Sequence, residues 1–131
     1  MKLHHVQVSM PQGEEDRARE FYRDALGLTE VEKPPSLAGR GGCWFRAFDG
    51  DVVTAELHLG VDDPFVPAKK AHPALVVDDV DALEAIAAQI DAAGFEVSWV
   101  ERDTLEYFTR FHARDGFGNR VEVLTPARIE R

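Results

Sequence analysis

Apolar and polar positions alternate over several short stretches of this chain, and over two longer ones they return every three or four residues. His4 to Met10, with Val6-Gln7-Val8 at its centre, predicts a first strand, and Pro11 ends it because proline has no N–H to extend a ladder. Between Gly13 and Leu26, the residues Ala18, Phe21, Tyr22, Ala25 and Leu26 fall at helical spacing. Glu14, Glu15 and Asp16 stand at the positive end of the helix dipole, and Gly27 supplies a left-handed stop. A short strand over Leu28 to Glu32 leads into a loop, 33–42, dense in Pro and Gly and placed where a lid would be. Cys43 to Phe48 and Val52 to Val61 then predict a hairpin about Asp49-Gly50-Asp51.

The pattern then starts again. His72 to Val77 predicts a strand, and Asp81, with Glu84 three residues on, predicts the cap of a helix whose stripe is Leu83, Ile86, Ala87 and Ile90 before Gly94. Strands follow at Glu96 to Val100, Phe108 to Arg114 and Arg120 to Thr125, closed by Pro126. The spacing supports a true repeat: His5 and His72 lie 67 positions apart, as do Gly27 and Gly94, while Glu56 and Glu122 lie 66 apart. Each half reads β-α-β-β-β, which predicts an α+β fold. Two βαβββ modules, 1–62 and 71–128 joined by a linker at 63–70, form a curved mixed β-sheet, an incomplete barrel, with one helix packed on each module. A unit of this size buries too little apolar surface alone, so the two copies pack on each other or on a partner chain.

Composition narrows the function. At 131 residues and 44% apolar content the chain fits one compact domain, 1–131. No stretch has the length of a membrane span and no apolar leader opens the sequence, so a cytoplasmic protein without a membrane partner is expected. A single cysteine, Cys43, forms no internal disulfide, and packing is its expected role. A net charge of −9 argues against nucleic acid, and the chain-wide field favours cations.

The repeat also carries candidate chemistry. Alternation puts Glu56 and His58 on one face of their strand and Leu57 and Leu59 on the other, and sets Glu122 opposite Val121 and Val123. His5 and His72 open equivalent strands, so pseudo-twofold packing brings them toward Glu122 and toward Glu56 or His58. Two imidazoles with one or two carboxylates suit a divalent ion such as Zn, Ni, Mn, Co or Fe(II). The repeat favours Glu56, whereas the apolar setting Leu57-His58-Leu59 favours His58, which is taken first with Glu56 as its alternative. A lone strand histidine is more often structural than ligating; here the symmetry of the repeat favours the ligand set.

Four stretches resemble the vicinal oxygen chelate superfamily, which includes glyoxalase I, fosfomycin-resistance thiol transferases, extradiol dioxygenases and bleomycin-resistance proteins. They are Leu3-His4-His5-Val6, Ala18 to Leu28 with its Phe-Tyr and Leu-Gly pairs, His72-Pro73-Ala74, and Asp115-Gly116-Phe117-Gly118-Asn119-Arg120-Val121-Glu122. The resemblance implies metal ligation by His5, His72 and Glu122, with His58 or Glu56 as the fourth ligand, and a coordination sphere open to two adjacent substrate oxygens. It implies a glyoxalase-like lyase or isomerase, with Glu122 or Glu56 moving a proton and Trp44 lining the pocket for a small-molecule substrate. It also implies a homodimer. A fosfomycin-type thiol transferase needs only His5, His72 and Glu122, a tandem-domain dioxygenase fits less well, and a metal-free drug-binding protein is the reading from another class.

Overall fold

The computed structural model of the chain describes residues 1–128. The first half runs β1 (Val6–Met10), α1 (Glu15–Arg19, continued through π-helical turns over Glu20–Ala25), β2 (Thr29–Val31), a 3-10 turn (Ala38–Arg40), β3 (Cys43–Asp49) and β4 (Val52–Val61). The second runs β5 (Ala74–Val76), α2 (Val80–Ala92), β6 (Val97–Ser98), β7 (Phe108–Arg114) and β8 (Arg120–Pro126). The α+β expectation holds. The eight strands form two four-stranded mixed sheets, ordered β1-β4-β3-β2 and β5-β8-β7-β6, with no closed barrel. In each sheet the first strand of its half joins the last in parallel, and the other pairs are antiparallel. A parallel pair requires a long crossover, which the helix and two intervening strands provide.

Both helices lay apolar stripes on these sheets in one continuous core. Ala18, Phe21, Tyr22 and Ala25 from α1 and Leu83, Ala87 and Ile90 from α2 are buried with Val8, Phe45, Leu57 and Leu59 of one sheet and Phe111, Val121 and Val123 of the other. The π-helical turn, closed by Leu26 N–H donating to the Phe21 carbonyl at 2.8 Å, keeps Phe21, Tyr22 and Ala25 all inside. Phe21 meets Phe95 edge-on, ring centroids 5.1 Å apart, where α1 approaches the end of α2. Gly27 and Gly94, both at φ 90°, end the two helices as their spacing predicts.

Two local expectations change. The cap of α2 is Asp79, not Asp81: its backbone is extended, and its carboxylate accepts from Ala82 N–H at 2.8 Å, while Asp81 already lies in the first turn. The strand expected over Glu96 to Val100 contracts to Val97–Ser98, because Trp99 turns down onto Phe111 and the backbone folds back through Arg102 N–H to the Trp99 carbonyl.

The turn after β7 ties the two halves together. Asp115 is buried, and its Oδ1 accepts from Phe117 N–H and Asn119 N–H, both at 2.9 Å. Its Oδ2 accepts from Tyr22 Oη–H of α1 at 2.7 Å and from Asn119 Nδ2 at 3.0 Å. Asn119 also donates to the Ser9 carbonyl of β1 and accepts from Ala68 N–H. Burial, with the adjoining Asp115 carboxylate, pushes the Tyr22 phenol well above its ordinary value, so it stays a donor. The Asp-Gly-x-Gly-Asn motif is therefore a knot in the fold, and it sets the start of the strand that carries Glu122.

Candidate metal centre

Strand register decides which polar side chains meet. In the first sheet Val6 pairs with Leu57, so His5 enters β1 level with Glu56, while Arg46 lies directly across from Glu56 and Trp44 across from His58. In the second sheet Ala74 pairs with Glu122, which puts His72 just upstream of that row, and His112 lies directly across from Glu122. Two groups of possible metal ligands result: His4, His5 and Glu56 in one half, and His72, His112 and Glu122 in the other. Among the described residues no such group takes members from both halves. The four expected ligands, His5, His58, His72 and Glu122, are thus divided: His5 stands with Glu56, the alternative to His58, His72 stands with Glu122, and His58 belongs to neither group.

Glu122 is the centre of the second group. Its Oε1 receives His72 Nε2 at 3.0 Å, His112 Nε2 at 3.1 Å and Arg110 NH1 at 3.1 Å, while Oε2 has none of these partners. Burial works to raise the Glu122 carboxyl, but the adjoining His72 and His112 imidazoles and the Arg110 guanidinium hold it below its ordinary value. Burial lowers the His112 imidazole, with Arg120 reinforcing it, so a neutral ring donates Nε2–H to the carboxylate. His72 is arranged differently: its Nδ1 lies 2.6 Å from the Lys70 carbonyl, which can only accept. A neutral His72 therefore donates from Nδ1 and aims the lone pair of Nε2 at a carboxylate oxygen 3.0 Å away. Two lone pairs at that distance repel unless a proton or a cation lies between them. An imidazole oriented through its other nitrogen by a backbone carbonyl, beside a carboxylate and a second imidazole, fits a borderline divalent ion.

The first group is differently held. Glu56 is buried; its Oε1 accepts from the Arg46 guanidinium and its Oε2 from His58 Nε2 at 2.8 Å, with His4 Nδ1 3.8 Å away. Burial opposes ionisation of Glu56, but the hydrogen bonds from His58 and Arg46 outweigh it and keep the carboxyl below its ordinary value. Burial also lowers the His58 imidazole, more than Glu56 raises it. His58 stacks on Trp44, rings 3.7 Å apart and 1° from parallel, and on its other side stacks His5 at 4.0 Å. His58 therefore pairs with Glu56 and stands between two rings. The exposed His5 points Nδ1 at His4 Nδ1, 2.9 Å away.

Four participants escape sequence reasoning: His4, His112 and the two arginines on the glutamates, Arg46 and Arg110. A hairpin symmetric about Phe117, the middle of the Asp115–Asn119 turn, places His112 across from Glu122. Cys43 takes no part. It is buried, and burial with the nearby Glu30 pushes its thiol up to about 11. At pH 8 that leaves about one thiol in a thousand ionised, against about one in four for a free cysteine. Native protein is expected to react with Ellman's reagent at least about a hundredfold more slowly than urea-unfolded protein; equal rates would contradict the burial.

The sequence profile of the Glyoxalase/Bleomycin resistance protein/Dioxygenase superfamily matches residues 2–123. The chain is 37% identical to a glyoxalase family protein from Bacillus anthracis, over 97% of this chain and 96% of that one, with a TM-score of 0.83. Two more distant structures share the fold. The fosfomycin resistance protein FosX from Listeria monocytogenes is 13% identical, over 100% and 95% of the two chains, with a TM-score of 0.67. The antibiotic binding protein TnmS3 from Streptomyces is 22% identical, over 97% and 99%, with a TM-score of 0.64. No curated protein matches the chain, and no helix among the described residues is long and apolar enough to cross a membrane. With repeat, fold and profile agreeing over nearly its whole length, the chain belongs to the Glyoxalase/Bleomycin resistance protein/Dioxygenase superfamily.

Proposed function

We propose that the chain is a metal-dependent lyase or isomerase of glyoxalase type, acting on a small substrate with adjacent oxygens. The observation that carries this reading is the His72, His112 and Glu122 cluster, in which an oriented imidazole lone pair faces a carboxylate. His72 and Glu122 would hold the ion, with His5 and Glu56 brought from a first half and His112 orienting Glu122. The ion supplies Lewis acidity toward two neighbouring oxygens. Glu122 then has two separate tasks on its two oxygens: Oε1 is turned to His72 and accepts from His112 and Arg110, and Oε2 is left to take a proton from the carbon beside a carbonyl and deliver it to the next atom. Arg110 fixes the carboxylate from the side, itself anchored by the Glu101 carbonyl and Thr104 Oγ1.

Because His5 with Glu56 and His72 with Glu122 stand in separate groups, the reading includes a homodimer in which the first half of one copy completes the second half of the other. The cleft beside His5 and His58 and the cleft beside His112 are each lined by residues of one half alone. Mixing tests this directly. His5→Ala and His72→Ala are each expected to lose bound metal. Unfolded together and refolded as a mixture, they are expected to recover about a quarter of the wild-type metal, since half the dimers are mixed and each mixed dimer has one intact site. Plasma mass spectrometry reads the metal; no recovery places each site within one chain.

A second reading, a metal-free binding protein, is favoured by one feature: Arg46 and Arg110 already neutralise both glutamates. Wild type that refuses added Zn, Ni, Mn, Co and Fe(II), yet captures a ligand unchanged in chelator, would establish it.

A further inference from the structure

The cleft beside the first group runs against the charge of the chain. It has a volume of about 420 Å³, the size of a small-molecule site, and no carboxylate lines it. Its two charged lining residues are both basic, Lys33 and Arg40, from the loop between β2 and β3. Arg40 is exposed and its side chain makes no hydrogen bond or ion pair among the described residues, while Lys33 Nζ donates to the Gly41 carbonyl. In a protein of net charge −9, Arg40 and Lys33 set two cations over this cleft, with the Glu15 carboxylate behind its rim, where Oε1 accepts from Gly42 N–H at 3.2 Å.

The other surfaces of the cleft combine aromatic rings, an amide and the apolar side chains of Leu37, Leu59 and Val61. Trp44, His58 and His5 line it as a three-ring stack, which offers aromatic surface. Gln7 lies across Gly60, where a Cβ would stand 2.2 Å from Gln7 Nε2, so the absence of a side chain at Gly60 makes room for this amide. His5 joins the cleft to the candidate metal ligands.

We propose that this cleft binds a small organic anion, a carboxylate or phosphate ester with a flat unsaturated body, and that Arg40 and Lys33 select it by its charge. The inference deepens the reading above and rests on it only for the reacting end of the molecule, near His5. The overall acidity of the protein then sets this cleft apart, because Arg40 and Lys33 give an anion local attraction there.

Benzoate, phenyl phosphate and neutral benzamide are suitable probes, titrated in the presence of EDTA by calorimetry and by the chemical shift of the Trp44 indole N–H. At least one anion is expected to bind about tenfold or more tightly than benzamide, and the tighter of the two identifies carboxylate or phosphate as the preferred group. Arg40→Gln and Lys33→Gln are each expected to weaken that anion several-fold without changing benzamide, and Gly60→Ala to weaken all three by displacing Gln7. Benzamide binding as tightly as the anions, anion affinity unchanged in Arg40→Gln, or no binding of any probe at millimolar concentration overturns the proposal. Metal content measured on the same preparations separates the two readings: anion binding by a wild type that takes no metal removes the metal centre alone, and metal without charge selection removes the cleft alone.

Discussion

Glu122→Gln is expected to empty the metal centre and to lower turnover of a vicinal-oxygen substrate about 10²–10⁴-fold, the range spanned by loss of a positioned acid–base group. The amide matches the carboxylate in size, so packing around Val121 and Val123 is preserved and the effect reads charge alone. Two donors, Arg110 and His112, converge on one oxygen of Glu122, and a neutral amide cannot balance them: Arg110 loses its counter-ion, and an ion held between Glu122 and the Nε2 lone pair of His72 would lose its anionic ligand. The proton-accepting oxygen is lost or replaced by an NH₂ group that has no lone pair to offer. Metal content by plasma mass spectrometry and steady-state kinetics check the two halves of this expectation together. Full metal occupancy and full turnover in the variant would remove Glu122 from the centre.

The largest effect on stability is expected far from any ligand, at Asp115→Ala. This buried carboxylate accepts four hydrogen bonds, two from the backbone of its own turn, one from Asn119 and one from Tyr22. Removing it leaves the Tyr22 hydroxyl without its acceptor inside the core, since Tyr22 is fully buried. Unpaired buried donors of this kind, with the turn loosened as well, cost about 3–5 kcal/mol. For a chain of this length that lowers the melting temperature by about 10 °C or more. Differential scanning calorimetry measures it, and a shift within about 2 °C of wild type would mean that the knot does not hold the halves together.

The contrast between these two positions shows what a sequence discloses. Glu122 and Asp115 belong to one motif, and the pattern of residues alone does not tell the ligand from the knot. Where turn signals bracket a run on both sides, as for Val52 to Val61, the strand is found to the residue. Alternation within it correctly opposes Glu56 and His58 to Leu57 and Leu59. The 66- and 67-residue offsets lead to His5, Glu56, His72 and Glu122 because duplication leaves a record in spacing. His112 leaves none, since its value lies in a cross-strand contact and no residue of its type stands 66 positions earlier, where Arg46 is. Asp78, Asp79 and Asp81 compete for one cap, and only the entry angle of the backbone into α2 chooses among them. Net charge misleads in a similar way: a sum over the surface conceals the two cations gathered over one cleft.

The seats around the two glutamates record the history of the duplication. Across from Glu56 and its neighbour stand Arg46 and Trp44; at the equivalent places of the second sheet stand His112 and Arg110. His58 is answered there by Leu124, paired with Arg110. Both sheets keep a glutamate in this row and a histidine near the start of the first strand, His5 level with Glu56 and His72 two residues before Ala74, which is level with Glu122. Two identical halves would have made two identical surfaces, each compelled to do every task. Once the copies diverged, one could become a wall of rings and the other a knot of imidazoles around an acid. The asymmetry gives one chain two unlike faces, an aromatic one around His58 and an imidazole-rich one around Glu122.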